Sequence, residues 1–127
     1  MSGKVVHFEI PADNVERAKN FYKSVFGWDT NEVPGMDYTM LITAPVDKNG
    51  MPTEPGAING GMPTRRGAVK GPVVTIQVDD IEAALKSVAN MGGSVVRKKQ
   101  AVADMGFTAY FKDTEGNIVG LWQIAQK

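Results

Sequence analysis

Residues 4–28, "KVVHFEIPADNVERAKNFYKSVFGW", join a strand pattern directly to a helix pattern. Apolar and polar residues alternate over residues 5–10, as in a strand with one face on a core. Apolar residues then recur at helical spacing over residues 15–26, and Gly27 is placed to end the helix. The predicted core positions are Val6, Phe8 and Ile10 on the strand, and Val15, Ala18, Phe21, Tyr22, Val25 and Phe26 on the helix.

The same pattern begins again at residues 72–93, "PVVTIQVDDIEAALKSVANMGG". A shift of 66 positions places His7 on Val73 and Gly27 on Gly93 without a gap. Each copy carries an acidic residue followed three positions later by glutamate, which predicts a capping box at the helix start. These pairs are Asp13 with Glu16 and Asp79 with Glu82. The predicted core positions of the second copy are Val74, Ile76, Val78, Ile81, Ala84, Leu85, Val88 and Met91.

Three further strands are predicted after each helix, which makes each half a βαβββ module. They fall at about 29–33, 38–43 and 57–62 in the first half, and at 95–102, 106–112 and 117–124 in the second. A module of this size buries little apolar surface alone, so two are expected to pair in one domain over residues 1–127. The modules span about 4–62 and 73–124, joined by a linker at about 63–72. Two unrelated ferredoxin-like halves explain the equal spacing less well.

Composition excludes several classes of function. The 127 residues are 43% hydrophobic and carry a formal net charge of +0, so a folded domain is expected and a nucleic-acid partner is not. The short basic clusters at 65–66 and 97–99 are interpreted as solvated surface. The absence of cysteine excludes disulfides, thiolate nucleophiles and cysteine metal sites. No stretch resembles a signal peptide or membrane span, so a cytoplasmic protein without a membrane partner is expected.

Three segments resemble one family. "HFEIPADNVERAKNFYKSVFGW" at 7–28, "VTIQVDDIEAAL" at 74–85 and "DTEGNIVGLWQ" at 113–123 are similar to the vicinal-oxygen-chelate superfamily of glyoxalases, bleomycin-resistance proteins and extradiol dioxygenases. The resemblance implies an α+β fold in which two paired βαβββ modules form a curved eight-stranded cup. It also implies that helices pack outside, that a small molecule binds in the cup, and that the protein forms a homodimer.

Metal-dependent members of this family use four ligands, usually histidine or glutamate, from the first and last strands of each module. Carried over by position, the first-strand ligands fall on His7 and Val73, and the last-strand ligand of module two falls on Gly120. Residues 57–62 contain no carboxylate or imidazole. One ligand of four remains, whereas stable sites need three or four. The resemblance therefore implies no tightly bound metal and no other cofactor. A weak divalent site using Glu9 and substrate oxygens stays open.

His7, the only histidine, has three possible roles: a pocket residue, a metal ligand, or a packed side chain with a satisfied hydrogen bond. Glu9 shares its strand face and is either an acid–base partner of His7 or a glutamate at the rim. Aromatic residues on the same side of the predicted sheet either stack a ligand or fill the core. The predicted ligand-binding residues are His7, Glu9, Tyr38, Asn59, Gln77 and Trp122. No catalytic residue is assigned.

The first hypothesis for function is a glyoxalase-like small-molecule pocket without a tightly held metal, in either a binding protein or a metal-free enzyme. The alternative is a metal-dependent lyase, isomerase or dioxygenase whose ligands are unrecognised. A third hypothesis is a resistance protein that sequesters an antibiotic. A trap for a cationic drug is expected to have acidic walls, and few inward acids beyond Glu9 are predicted.

Overall fold

The computed structural model describes residues 3–125, which form two successive βαβββ modules. The predicted α+β fold class, with eight strands and two helices, is confirmed. The elements are β1 (Val5–Glu9), α1 (Val15–Phe26), β2 (Asp29–Glu32), β3 (Tyr38–Ile42), β4 (Gly60–Pro63), β5 (Val73–Gln77), α2 (Ile81–Asn90), β6 (Ser94–Val102), β7 (Gly106–Lys112) and β8 (Ile118–Ile124). None of the helices in this described part of the chain is long and apolar enough to cross a membrane.

The described residues divide into two compact units. The amino-terminal unit comprises residues 7–72. The carboxy-terminal unit comprises residues 73–125 together with 3–6. Residues 3 and 4 belong to the second unit because the Gly3 N–H donates to the Gln77 carbonyl at 2.7 Å and the Gln77 N–H donates to the Lys4 carbonyl at 2.9 Å.

The amino-terminal unit is a four-stranded sheet in the order β2-β3-β4-β1, with α1 on one face. The strands pair antiparallel except for β1 and β4, which are parallel. Leu41 and Met62 are fully buried between the sheet and the helix. Phe8 and Ile10 pack against this cluster, as the alternation of the first strand predicts. His7 and Glu9 therefore lie on the opposite face of the sheet.

The core stripe predicted for α1 is only partly correct. Val15, Ala18 and Tyr22 contact the core cluster, but no residue of the helix is fully buried. Phe21, Val25 and Phe26 are each more than half exposed. The helical period identifies which residues share a side of α1, whereas the width of the sheet decides how much of that side is covered.

Each helix begins one residue later than the capping boxes predict. Asn14, not Asp13, caps α1, and its Oδ1 accepts the Arg17 N–H at 3.0 Å. Asp13 instead forms an ion pair with Arg65 at 2.7 Å. Asp80, not Asp79, caps α2 by accepting the Ala83 N–H at 3.3 Å. A capping side-chain oxygen must accept an N–H two or three residues ahead of it. The residue just before the first helical residue can do this, and that residue is Asn14 for α1 and Asp80 for α2.

The carboxy-terminal unit is a four-stranded sheet in the order β5-β8-β7-β6, with α2 on one face. Its core contains Ile81, Leu85, Ala109 and Leu121, with Ile76 and Val78 of the predicted core face packed against it. Two predicted core residues are wrong. Val74 is about half exposed at the start of β5, and Met91 is 78% exposed because it follows the last turn of α2.

The fourth strand is shorter than predicted, starting at Gly60 instead of residue 57. The side chain of Asn59 accepts the backbone N–H groups of Thr43 and Ala44, so these donors are not available to extend the ladder. The predicted linker at 63–72 belongs to the amino-terminal unit, where Val69 is buried.

Candidate functional site

Three of the predicted ligand-binding residues share the face of the amino-terminal sheet opposite α1. His7 and Glu9 lie there because Phe8, between them, packs toward the helix. Tyr38 lies there as well, since its ring crosses β4 directly above Gly61. A β-carbon at Gly61 would overlap the Tyr38 hydroxyl. The absence of a side chain at position 61 is therefore what allows Tyr38 to lie across the strand.

His7 and Tyr38 form a hydrogen-bonded pair on this face. The His7 Nε2 and the Tyr38 hydroxyl are 2.8 Å apart, and the two rings are nearly parallel at 20°. Burial lowers the pKa of His7 below its usual value, and the nearby carboxylate of Glu9 opposes this to a smaller degree. At neutral pH the imidazole is therefore uncharged. Depending on its tautomer, Nε2 either accepts the tyrosine proton or donates its own.

Glu9 and Asn59 are the two most buried of the predicted site residues, each 7% exposed. Asn59 links the two ends of the connection between β3 and β4 by hydrogen bonds. Its Oδ1 accepts the Thr43 N–H at 2.8 Å, the Ala44 N–H at 3.0 Å and the Thr43 hydroxyl at 3.2 Å. Its Nδ2 is buried without a hydrogen-bond partner. The oxygen of Asn59 thus has a structural role that its position in a glycine-rich segment did not reveal.

The other two predicted residues, Gln77 and Trp122, are neighbours in the carboxy-terminal unit. They are paired across β5 and β8, and both are half-buried. The Trp122 ring lies over Gly106, where a β-carbon would come within 2.8 Å of it. The structure thus brings together His7 with Tyr38 in one unit and Gln77 with Trp122 in the other.

The strand register completes the set of positions at which the family resemblance implies metal ligands. The shift of 66 positions places Glu9 on Thr75. Glu9 is paired with Gly61 in β4, just as Thr75 is paired with Gly120 in β8. Gly61 is therefore the last-strand position of the first module. Sequence reasoning did not identify it, because the pairing of β1 with β4 is set by the tertiary structure and not by local pattern.

The residues at the four positions do not fit a divalent metal. They are one imidazole, one valine and two glycines, at His7, Val73, Gly61 and Gly120. Within residues 3–125, no group of three or more histidine, aspartate or glutamate side chains is arranged to hold a metal ion. A single imidazole does not bind zinc or nickel tightly.

Two open clefts lie elsewhere in the units. One, of about 240 Å³, is lined by Asp13, Arg17, Tyr22 and Arg65 near the start of α1. The other, of about 350 Å³, is lined by Gln77 together with Asp79 and Gln123. Neither cleft includes His7 or Tyr38. The second includes one of the predicted ligand-binding residues.

Comparison with known proteins agrees with this architecture. Residues 4–44 match the protein family described as "Bleomycin resistance protein-like N-terminal". A glyoxylase-like domain-containing protein from Didymella fabae is 32% identical over 125 residues, which cover 92% of this chain and 91% of that protein. The chain belongs to the glyoxalase-like vicinal-oxygen-chelate superfamily.

A longer relative also matches most of this chain. The protein CFP32 of Mycobacterium bovis, named as a glyoxylase, is 35% identical over 111 residues, or 84% of this chain. The match spans only 40% of the length of CFP32.

The fold is shared with solved structures at low sequence identity. A Streptomyces coelicolor methylmalonyl-CoA epimerase variant in complex with 2-nitronate-propionyl-CoA has a TM-score of 0.67 at 16% identity, covering 99% of this chain and 100% of its own. The Bacillus halodurans protein BH1468 has a TM-score of 0.65 at 14% identity, covering 100% of this chain and 98% of its own.

Proposed function

We propose that this chain binds a small organic molecule on the sheet face that carries His7 and Tyr38, and that it does so without a resident divalent metal. The observation that carries this proposal is the hydrogen bond between the His7 imidazole and the Tyr38 hydroxyl. An uncharged imidazole joined to a phenol can donate and accept hydrogen bonds, whereas it cannot act as a Lewis acid.

The surroundings of the pair suit a ligand with a planar or apolar body. Met40 is paired with Gly61, which places its side chain on the same face as Tyr38. Small-molecule sites commonly combine an apolar wall with a few polar groups that orient the ligand. The epimerase among the structural neighbours is in complex with a CoA derivative, and CFP32 is named as a glyoxylase, so small-molecule chemistry in related proteins supports the proposal.

The proposal covers both a binding protein and a metal-free enzyme. In the enzyme, His7 is the candidate proton acceptor, because burial keeps its imidazole neutral. The homodimer and the cytoplasmic location that the sequence indicates are parts of the same proposal. A second candidate, an antibiotic-sequestering protein, is favoured by the match of residues 4–44 to the bleomycin resistance-like family.

The test is a ligand screen by thermal shift on three proteins: wild type, His7→Ala and Asn20→Ala. A ligand of the proposed site raises the melting temperature of the wild type, because binding to the native state stabilises it. His7→Ala is expected to raise the dissociation constant of that ligand about tenfold or more, which is equivalent to a loss of about 1.4 kcal/mol in binding free energy. Asn20, exposed on α1 and therefore on the other side of the sheet, provides a matched surface control that leaves binding unchanged.

Two results would contradict the proposal. Ligands that bind the wild type and the His7→Ala variant equally would place the site elsewhere. Elemental analysis of protein purified without chelators is expected to find metal far below one ion per chain. Near-stoichiometric zinc, nickel, iron or manganese would support a metal-dependent lyase, isomerase or dioxygenase instead.

A further inference from the structure

We propose that the hydroxyl of Tyr38 occupies the place of a metal ion on His7, and that Gly61 is the residue that makes room for it. This inference deepens the proposed function, on which it rests for the identity of the ligand-binding face. It attributes the absence of a resident metal, which is part of the proposed function, to one specific arrangement of residues. It also indicates which ligands the resulting site prefers.

Gly61 lies at the position of an expected metal ligand. Gly61 is equivalent to Gly120 by the repeat and the strand register, and the family resemblance implies a glutamate ligand at Gly120. The equivalent side chain of the first module would therefore rise from position 61. That is where the Tyr38 hydroxyl lies, because a β-carbon built on Gly61 overlaps this oxygen and the ring carbon that carries it.

Tyr38 sterically excludes a side chain at position 61. A carboxylate at position 61 and Tyr38 in its observed place cannot coexist, so any side chain at 61 must displace the ring. Tyr38 is held in place by its 2.8 Å hydrogen bond to His7 Nε2. An imidazole nitrogen binds a metal through its lone pair, which is not available while that nitrogen is engaged by a hydroxyl. Tyr38 thus engages His7, the one remaining metal-ligand residue, and also covers position 61, where a second metal ligand is expected.

The charges on this face determine which ligands it prefers. Without a cation, the face offers an uncharged imidazole and a phenol beside the buried Glu9, whose negative charge is close enough to raise the pKa of His7. A carboxylate or phosphate bound beside Glu9 would be repelled by that charge. The site therefore favours an uncharged hydrogen-bonding group, such as a carbonyl, amide or hydroxyl, attached to an apolar body.

Isothermal titration with Ni²⁺ and Zn²⁺ tests the exclusion of metal. Wild type is expected to show no saturable binding below millimolar metal, and Tyr38→Phe is expected to behave likewise, since the ring still covers position 61. The double variant Tyr38→Ala/Gly61→Glu opens the face and adds a carboxylate beside His7. It is expected to bind Ni²⁺ about 100-fold more tightly than wild type, because a second strong ligand is supplied. Tyr38→Ala/Asn20→Glu carries the same substitutions in number and charge, but its carboxylate lies on α1 at the other side of the sheet, so it is expected to gain nothing.

The single histidine gives an independent readout, since the imidazole resonances of the chain come from His7 alone. Gly61→Ala keeps the site free of added charge and must displace Tyr38. It is expected to shift the His7 ring ¹⁵N resonances in the same direction as Tyr38→Phe, because both substitutions remove the same hydrogen bond. A control substitution, Gly71→Ala, has open space around the added carbon and is expected to leave these resonances in place.

The inference is overturned if Gly61→Ala folds and leaves the His7 resonances unchanged. It is also overturned if the folded Tyr38→Ala/Gly61→Glu protein binds Ni²⁺ no better than wild type, or if wild type already binds it tightly. These outcomes are distinct from failure of the proposed function, which is measured by the effect of His7→Ala on an organic ligand. The paired probes benzamide and benzoate report the charge preference of the site. Tighter binding of benzoate would contradict the preference for an uncharged ligand.

Discussion

Replacing Asn59 with alanine is expected to destabilise the protein through two backbone groups far away in sequence. The Asn59 oxygen accepts the N–H groups of Thr43 and Ala44, which lie 16 and 15 positions earlier in the chain. Ala44 is buried and Thr43 is half-buried, so alanine at position 59 leaves donors that water reaches poorly. The substitution therefore tests whether this asparagine is part of the scaffold of the site.

The expected loss follows from the burial of each group. A buried N–H without a partner costs about 1–3 kcal/mol, and we take about 2 for Ala44 and about 1 for the more accessible Thr43. The same substitution removes the buried Nδ2, which has no partner, and this recovers about 1 kcal/mol. The free energy of unfolding should therefore fall by about 2 kcal/mol.

Urea denaturation followed by tryptophan fluorescence measures this change directly. Thr43→Val keeps the backbone N–H but removes the hydroxyl, which donates to the Ile58 carbonyl at 2.7 Å as well as to Asn59, and it is expected to cost about 1 kcal/mol. Asn31→Ala, on the exposed second strand, is expected to change stability by less than about 0.5 kcal/mol. If Asn59→Ala also costs less than about 0.5 kcal/mol, the assignment of a capping role to Asn59 is refuted.

Three other changes have defined outcomes in the same denaturation assay. Leu41→Ala empties a fully buried position in the amino-terminal core and should cost about 2–5 kcal/mol; a loss below about 1 would contradict that core. Gly27→Ala should cost about 1–2 kcal/mol because this residue, at φ 76°, ends α1 in the left-handed region, and an unchanged midpoint would contradict that conformation. Burial lowers the pKa of His7 in the folded state below the unfolded value of 6.5. Between these two pKa values the native state therefore binds fewer protons than the unfolded state. The free energy of unfolding should therefore be at its full value above pH 6.5 and should fall as the pH decreases toward the lowered pKa; a His7→Gln variant with the same pH dependence would contradict this.

Local regularities of the sequence were enough to predict the elements of the fold. Alternation over residues 5–10 correctly separates Phe8 and Ile10, which pack toward α1, from His7, which faces the other way. The repeat at a shift of 66 positions predicts two βαβββ modules, and the structure has them. These predictions succeed because the period of a strand or helix determines which residues share a face, whatever lies against that face.

What the sequence could not decide depends on contacts between residues distant along the chain. The exposure of Phe26 reflects how little of α1 the sheet covers, and helical spacing carries no information about that coverage. The capping role of Asn59 depends on backbone donors at Thr43 and Ala44 that only the folded loop brings near.

The candidate site also combines features that the sequence predicts with features that only the tertiary structure decides. His7 was identified from its strand, but its partner Tyr38 lies 31 positions away, and the room for that partner comes from a glycine on a third strand. The residue type at each position was visible in the sequence. Only the register of β1, β3 and β4 places a phenol over Gly61 and against the imidazole, because register is set by pairing across the sheet and not by local pattern.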